Sequence, residues 1–345
     1  MAGIIVLALN AYVLLAGADF GGGIWDLLAT GPRREKQRAL ISRAMGPVWE
    51  ANHVWLIFAV VILFTCFPTA FAAIATELHI PLTLMLIGII LRGSAFVFRT
   101  YDSPRGDVQH RWGLVFSISS LLTPALLGAI IGAVASGDIG IASTLSAPSF
   151  GERFVAPWTS AFAIAVGAMA LSLFAFLAAV YLTVEAEGEP ELQEDFRRRA
   201  LGAAAAVFVC AVGALLLSGT RSPQMMQVLT RSALALPLQI ATGLAALIAI
   251  GALASRHFRL ARVAAAAQLS LILWGWAAAT YPWIVPPALS IESAAAGART
   301  LRLTLVAVVC GFVVLIPSLA YLFRIFKSRT AAFESLSQSA HETEV

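Results

Sequence analysis

Long apolar runs alternate with short polar breaks along this chain, and the runs are of similar length. Blocks of about 20 apolar residues suit a helix that crosses about 30 Å of hydrocarbon. The pattern predicts nine such helices, over residues 2–28, 54–75, 80–98, 112–135, 157–184, 200–217, 233–254, 263–283 and 303–323. Between the second and third, Glu77 and His79 interrupt a long apolar run and Pro81 suits a helix start, which predicts a tight hairpin there. The short alternating segments of a membrane β-barrel are absent. The expected fold class is all-α: a polytopic helical membrane protein.

Composition agrees with the pattern. Of 345 residues, 59% are hydrophobic and only 12% charged, against about 25% charged in a soluble domain; the mean hydropathy is +0.85. The net charge of +4 would suit a nucleic-acid binder only if the basic residues shared one soluble face. They do not. Seventeen of the 23 Lys and Arg fall in alternate breaks: Arg33 to Arg43, Arg99 to Arg111, Arg197 to Arg199, Arg256 to Arg262, and Arg324 to Arg329 at the C-terminal end. By the positive-inside rule this alternation predicts an outer N-terminus and a cytoplasmic C-terminus.

The breaks leave little room for a soluble domain. The longest on the outer side, 136–156 and 284–302, hold about 20 residues each. The acidic run from Glu185 to Glu191 reads as a solvated cytoplasmic turn, and the polar stretch 330–345 as a disordered tail. Cys66, Cys210 and Cys310 lie in apolar segments without CxxC or CxxCH spacing. Disulfide, zinc and c-type haem readings therefore lack support, and the three read as packing residues. No cleavable signal is evident, since the first apolar block lacks a basic start. Chemistry must then sit within or between the helices.

The most polar sequence inside a hydrophobic helix is GPVWEANHVWLI, residues 46–57. Pro47 fits a first-turn position. Glu50 and His53 stand at i and i+3, and Trp49 and His53 at i and i+4, which puts them on one helix face. Two further ionisable residues fall within spans: Asp19 in GADFGGG, about 9 Å inside the helix end marked by Trp25, and Arg92, about 10 Å inside the end marked by Arg99. A charge at membrane depth is costly and marks a functional hypothesis. Asp19 and Arg92 are expected to pair in the cytoplasmic half, with Glu50 and His53 nearer the cytoplasm. The pair either locks three helices together or belongs to a polar path for protons or hydrated ions. Glu77 and His79, at the outer end, read as interfacial anchors.

Several motifs fail. Glu50-x-x-His53 has di-iron spacing, but no second copy exists. Gly21 to Gly23 lack the GK[ST] of a phosphate loop and suit close helix packing instead. No paired intramembrane histidines suggest a haem site. Gln239 and Gln268 read as hydrogen-bonded packing residues. From physics alone, a secondary transporter or ion channel using Asp19 and Arg92 competes with a partner-subunit role. The absence of an obviously broken span counts against it.

The order GADFGGG, a basic loop, GPVWEANHVWLI, then HIPLTLMLIGIILRGSAFVFR resembles subunit II of the cytochrome bd ubiquinol oxidase family, cyanide-insensitive-type members included. The resemblance implies a multi-pass protein of the bacterial inner membrane with nine helices in two four-helix bundles plus a peripheral last helix. On this chain these would be 1–135, 136–283 and 284–329. It implies a similarly folded, haem-bearing subunit I as partner, with haem b and haem d placed there and none firmly in this chain. It leaves open a structural quinone and a small accessory subunit. Together the subunits of such an oxidase oxidise quinol and reduce O2 to water. The lone chain is not expected to be catalytic. Glu50 matches the acidic position of the second-helix block, implicated in proton entry. Asp19 and Arg92 match the acidic and basic positions of the first and third blocks, and Trp49, Asn52 and Trp55 the rest of the second. Proton-path candidates are thus Glu50, Asp19 and His53, with Arg92, Trp49, Asn52 and Trp55 as a structural polar cluster.

Overall fold

The computed structural model describes residues 1–45, 49–101, 106–139, 148–232, 235–318 and 321. It is all-helical apart from one short hairpin. The helices are α1 (Ala2–Leu27), α2 (Arg34–Met45), α3 (Trp49–Cys66), α4 (Pro68–Glu77), α5 (His79–Tyr101), α6 (Gly106–Ser136), α7 (Phe150–Phe154), α8 (Ala156–Thr159), α9 (Ala161–Glu185), α10 (Pro190–Arg221), α11 (Pro223–Arg231), α12 (Ala235–Ala254) and α13 (Phe258–Thr280). Strands β1 (Trp283–Val285) and β2 (Leu289–Ser290) pair antiparallel in the segment after α13. A last apolar helix, α14 (Ala298–Ser318), belongs to a second compact unit that begins at Ala296; the other unit is Ala2–Ala295. Among the described residues eight helices are long and apolar enough to cross a membrane, or nine if one bent pair counts as a span. The chain is a polytopic helical membrane protein.

That bent pair corrects one expectation. The predicted span 54–75 is two helices, α3 and α4, set at 118°. The cause is Pro68. It has no N–H to continue the helix, and it pushes the residue before it out of the helical region. Phe67 accordingly sits at φ −138°, ψ 60°, and Pro68 opens the next helix at its first turn. The connection to α5 therefore runs through α4 and the buried Leu78 rather than through a tight hairpin at Glu77–His79. With it goes the argument that no span is broken.

The centre of the large unit is α9, which packs on α1, α6, α10 and α13. From Ser172 to Val180 every side chain of α9 is buried, as expected for a helix enclosed on all sides. Small residues let its neighbours approach. A Cβ on Gly21 of α1 would collide with the Phe174 carbonyl, and a Cβ on Gly128 of α6 would lie 2.7 Å from the Gly167 Cα. A Cβ on Gly132, one turn on, would lie 2.8 Å from the Ala163 Cα. The glycines after Asp19 are packing glycines.

Candidate functional site

Asp19 and Arg92 meet in the core, each 2% exposed. The guanidinium donates from Nη1 to Asp19 Oδ2 at 2.8 Å and from Nη2 to Oδ1 at 2.6 Å, a bidentate fork. Nη2 also reaches the Asp19 carbonyl at 3.2 Å, and Nε donates to the Ser120 hydroxyl at 3.0 Å. Phe20 and Phe116 cover the cation, with ring centroids 4.7 and 5.0 Å from its central carbon. Three spans, α1, α5 and α6, are tied at one point. Sequence spacing anticipated the Asp19–Arg92 meeting but not Ser120, an ordinary hydroxyl in an apolar helix.

His53 stands beside this pair. Its ring lies nearly parallel to Phe20 at 6.2 Å and tilted to Tyr12 at 6.3 Å. Tyr12 is fully buried and precedes Asp19 by seven residues, two turns along the same face of α1. Asn52 is also fully buried. The Tyr12 hydroxyl, both polar atoms of the Asn52 amide and His53 Nδ1 have no protein partner among the described residues. Such a group at membrane depth is costly unless water reaches it. Trp55 follows on the next turn, half-buried. Glu50 and Trp49 fall in the first turn of α3, but their side chains lie outside the described residues.

Asp26 was missed from the sequence because it reads as the polar end of the first span. It is 1% exposed, seven residues after Asp19 and so on the same face. Arg38 Nε lies 3.8 Å from its carboxylate, and the Ser117 hydroxyl donates to Oδ2 at 3.4 Å. Ser117 and Ser120 are one turn apart on α6, so polar groups continue from Arg38 to Arg92 along the α1–α6 seam. The repeated seven-residue spacing Tyr12, Asp19, Asp26 was the available signal.

Elsewhere several of the described charges are paired. Glu77 is not an interfacial anchor: it is 4% exposed, with Oε1 3.9 Å from Arg153. His79 is exposed, its Nδ1 2.8 Å from the Thr76 carbonyl oxygen. Gln239 is hydrogen-bonded as expected, donating to the Leu229 carbonyl, but it is exposed rather than packed. The acidic turn after α9 meets the basic breaks on either side: Glu191 and Asp195 bind Arg33, Glu187 binds Arg259, and Glu185 lies 3.7 Å from Arg262. The hydrogen bonds that it donates to Asp195 hold the Arg33 guanidinium above its already high ordinary pKa. Among the described residues no group of three or more His, Cys, Asp or Glu is arranged to hold a metal ion.

The profile of the cytochrome bd terminal oxidase subunit II family matches residues 1–326, which takes in every residue of this cluster. The chain belongs to that family. It is 32% identical over 124 residues to cytochrome bd ubiquinol oxidase subunit 2 of Bacillus subtilis, covering 34% of each chain. It is 25% identical over 204 residues to cytochrome bd-I ubiquinol oxidase subunit 2 of Escherichia coli, covering 59% of this chain and 52% of the relative. These matches thus span about a third to a half of the relatives' own length. The family fold extends further than the sequence likeness. A chain of the bd oxidase from Geobacillus thermodenitrificans superposes with a TM-score of 0.75 at 23% identity, covering 94% of this chain and 96% of that one.

Proposed function

We propose that this chain is the second subunit of a membrane quinol oxidase that couples quinol oxidation to reduction of O2 to water. The observation that carries the reading is the family match over residues 1–326. In this reading the chain pairs with a haem-bearing subunit I that holds haem b and haem d. Its own part is to stabilise that partner and deliver protons. It lies in the bacterial inner membrane with the N-terminus outside and the C-terminus in the cytoplasm, its helices grouped as 1–135, 136–283 and 284–329. The bent second span is a feature transporters also use, but a family match of this extent favours the oxidase.

Protons enter on the cytoplasmic side at Glu50 and pass His53 toward Asp19. Support comes from the unpartnered polar atoms of Tyr12, Asn52 and His53 beside the Asp19–Arg92 pair, a setting for a short water chain. Arg92 fixes the local charge and Asn52 and Trp55 hold the turn around His53.

A reduced-minus-oxidised visible spectrum of the tagged protein, purified gently from its own membranes, tests the assignment. Haem b and d bands with a co-purifying second membrane subunit are expected. A haem-free preparation without that partner would overturn the reading. In the assembled complex, Glu50→Gln should slow turnover wherever proton delivery limits it. Unchanged turnover and proton uptake would leave the cluster a purely structural role.

A further inference from the structure

A second polar feature lies outside the buried cluster, at the basic end of the large unit. A cavity of about 310 Å³ opens between the α1–α2 turn and the start of α10. Arg33, Arg198 and Arg199 line it, and Asp195 is the lone carboxylate in its wall. Asp195 is already engaged: Arg33 donates to both its oxygens at 2.9 and 2.7 Å, and Gln37 Nε2 donates at 2.9 Å. Arg198 is engaged by Glu194 at 3.0 Å.

Arg199 differs. Its Nη2 donates to Gln37 Oε1 at 2.7 Å and to the Leu28 carbonyl at 3.3 Å, both neutral acceptors. Its guanidinium lies over Trp25 and Phe196, with centroids 5.5 and 5.3 Å away. Nη1 is buried and has no partner among the described residues. The side chain is thus a cation held in place by two rings, without a carboxylate at ion-pair distance among the described residues. A guanidinium so placed matches the forked geometry of a phosphate. The first turn of α2 adds the positive end of a twelve-residue helix. The apolar residues just before the cavity, Leu27 and Leu28, are 36% and 50% exposed at the end of a membrane-spanning helix. The cavity therefore lies at headgroup depth, where basic clusters attract anionic lipids.

We propose that this cavity binds an anionic phosphate group, with Arg199 as its principal contact and the ion-paired Arg33 and Arg198 as its walls. The phosphate is that of an acidic phospholipid headgroup or a free phosphate ion, and the two sources are separable.

The test uses the complex purified from its own membranes, stripped of loosely held lipid and exchanged with defined lipid, and counts lipids retained in native mass spectrometry. Wild type should retain phosphatidylglycerol and not phosphatidylcholine. Arg199→Gln should weaken that retention about tenfold, the loss of one charge-assisted contact. Because Arg199 also packs on two rings, Gly31→Asp is the second variant. Gly31 lines the cavity at φ +81° with open space where a Cβ would point; Asp is among the side chains that best tolerate this left-handed backbone, so a carboxylate enters at some backbone strain but without removing a contact. It should reduce retention similarly. Displacement of phosphatidylglycerol by inorganic phosphate, in wild type but not in the variants, would assign the cavity to the free ion. Equal retention of both lipids by wild type, or unchanged retention in a folded Gly31→Asp complex, would overturn the proposal.

Discussion

Two charges buried at membrane depth are tolerable only because each satisfies the other. Arg92 directs four N–H contacts at Asp19 and Ser120, and the two rings above it replace part of its lost hydration. Removing one partner is therefore far worse than removing both. Asp19→Asn should destabilise the assembled protein by roughly 3–5 kcal/mol, because it strands a buried guanidinium. The stacking over Phe20 and Phe116, about 0.5–2 kcal/mol each, is too small to compensate. Thermal unfolding of the purified complex should show Asp19→Asn and Arg92→Leu each lowering the midpoint, and the double variant losing much less than their sum. Additive losses would mean the two residues act separately. The buried polar atoms of Tyr12, Asn52 and His53 contrast with this pair. Among the described residues they have no such partner.

Helices here are placed by what their small residues permit. Gly21 brings α1 against the backbone of α9, where any side chain would meet the Phe174 carbonyl. Gly21→Val should cost roughly 1–3 kcal/mol through forced backbone displacement. Gly3→Val, which meets open space, should cost far less. The yield of assembled complex from each, read by size-exclusion chromatography, makes the comparison. Between α6 and α9, α7 starts on a capping box: Ser149 Oγ accepts from the Glu152 N–H at 3.3 Å, and the Glu152 carboxylate accepts from the Ser149 N–H at 2.9 Å. These bonds, the backbone one foremost, hold the Glu152 carboxyl below its ordinary pKa. The sign follows. A depressed carboxylate stabilises the turn above its ordinary pKa, and that support is lost as pH falls through the depressed value. Hydrogen exchange over 149–154 should therefore show protection that declines on acidification in the wild type and no such decline in Glu152→Gln, whose amide is an uncharged acceptor at every pH.

For the whole molecule, orientation rests on the gathering of basic groups at one end. Arg33, Arg199, Arg256, Arg259 and Arg262 come from three different breaks, yet all lie around the acidic turn after α9. Placed in a cysteine-free background, Glu189→Cys should react with an impermeant thiol reagent only in inverted membrane vesicles. Glu292→Cys, beside the outer hairpin, should react only in right-side-out ones. The opposite pattern would reverse the topology.

Sequence alone determined that the chain spans a membrane many times, because hydrocarbon leaves a backbone no alternative to long apolar helices. It also singled out Asp19, Arg92 and His53, since polar side chains are conspicuous where everything around them is apolar. The motif order of the first hundred residues disclosed the family. Tertiary structure decided the rest. The bend at Pro68 was written in the sequence, but Pro124 sits inside α6 without ending it, and only the packed fold tells a break from a tolerated proline. Ser117 and Ser120 acquire meaning only when α6 lies against α1. Asp26 and Glu77 resembled interfacial charges until neighbouring elements buried them. The cavity under Arg199 joins residues more than 160 positions apart. Local pattern fixes which segments enter the membrane; which side chains meet there depends on helix contacts that no single segment encodes.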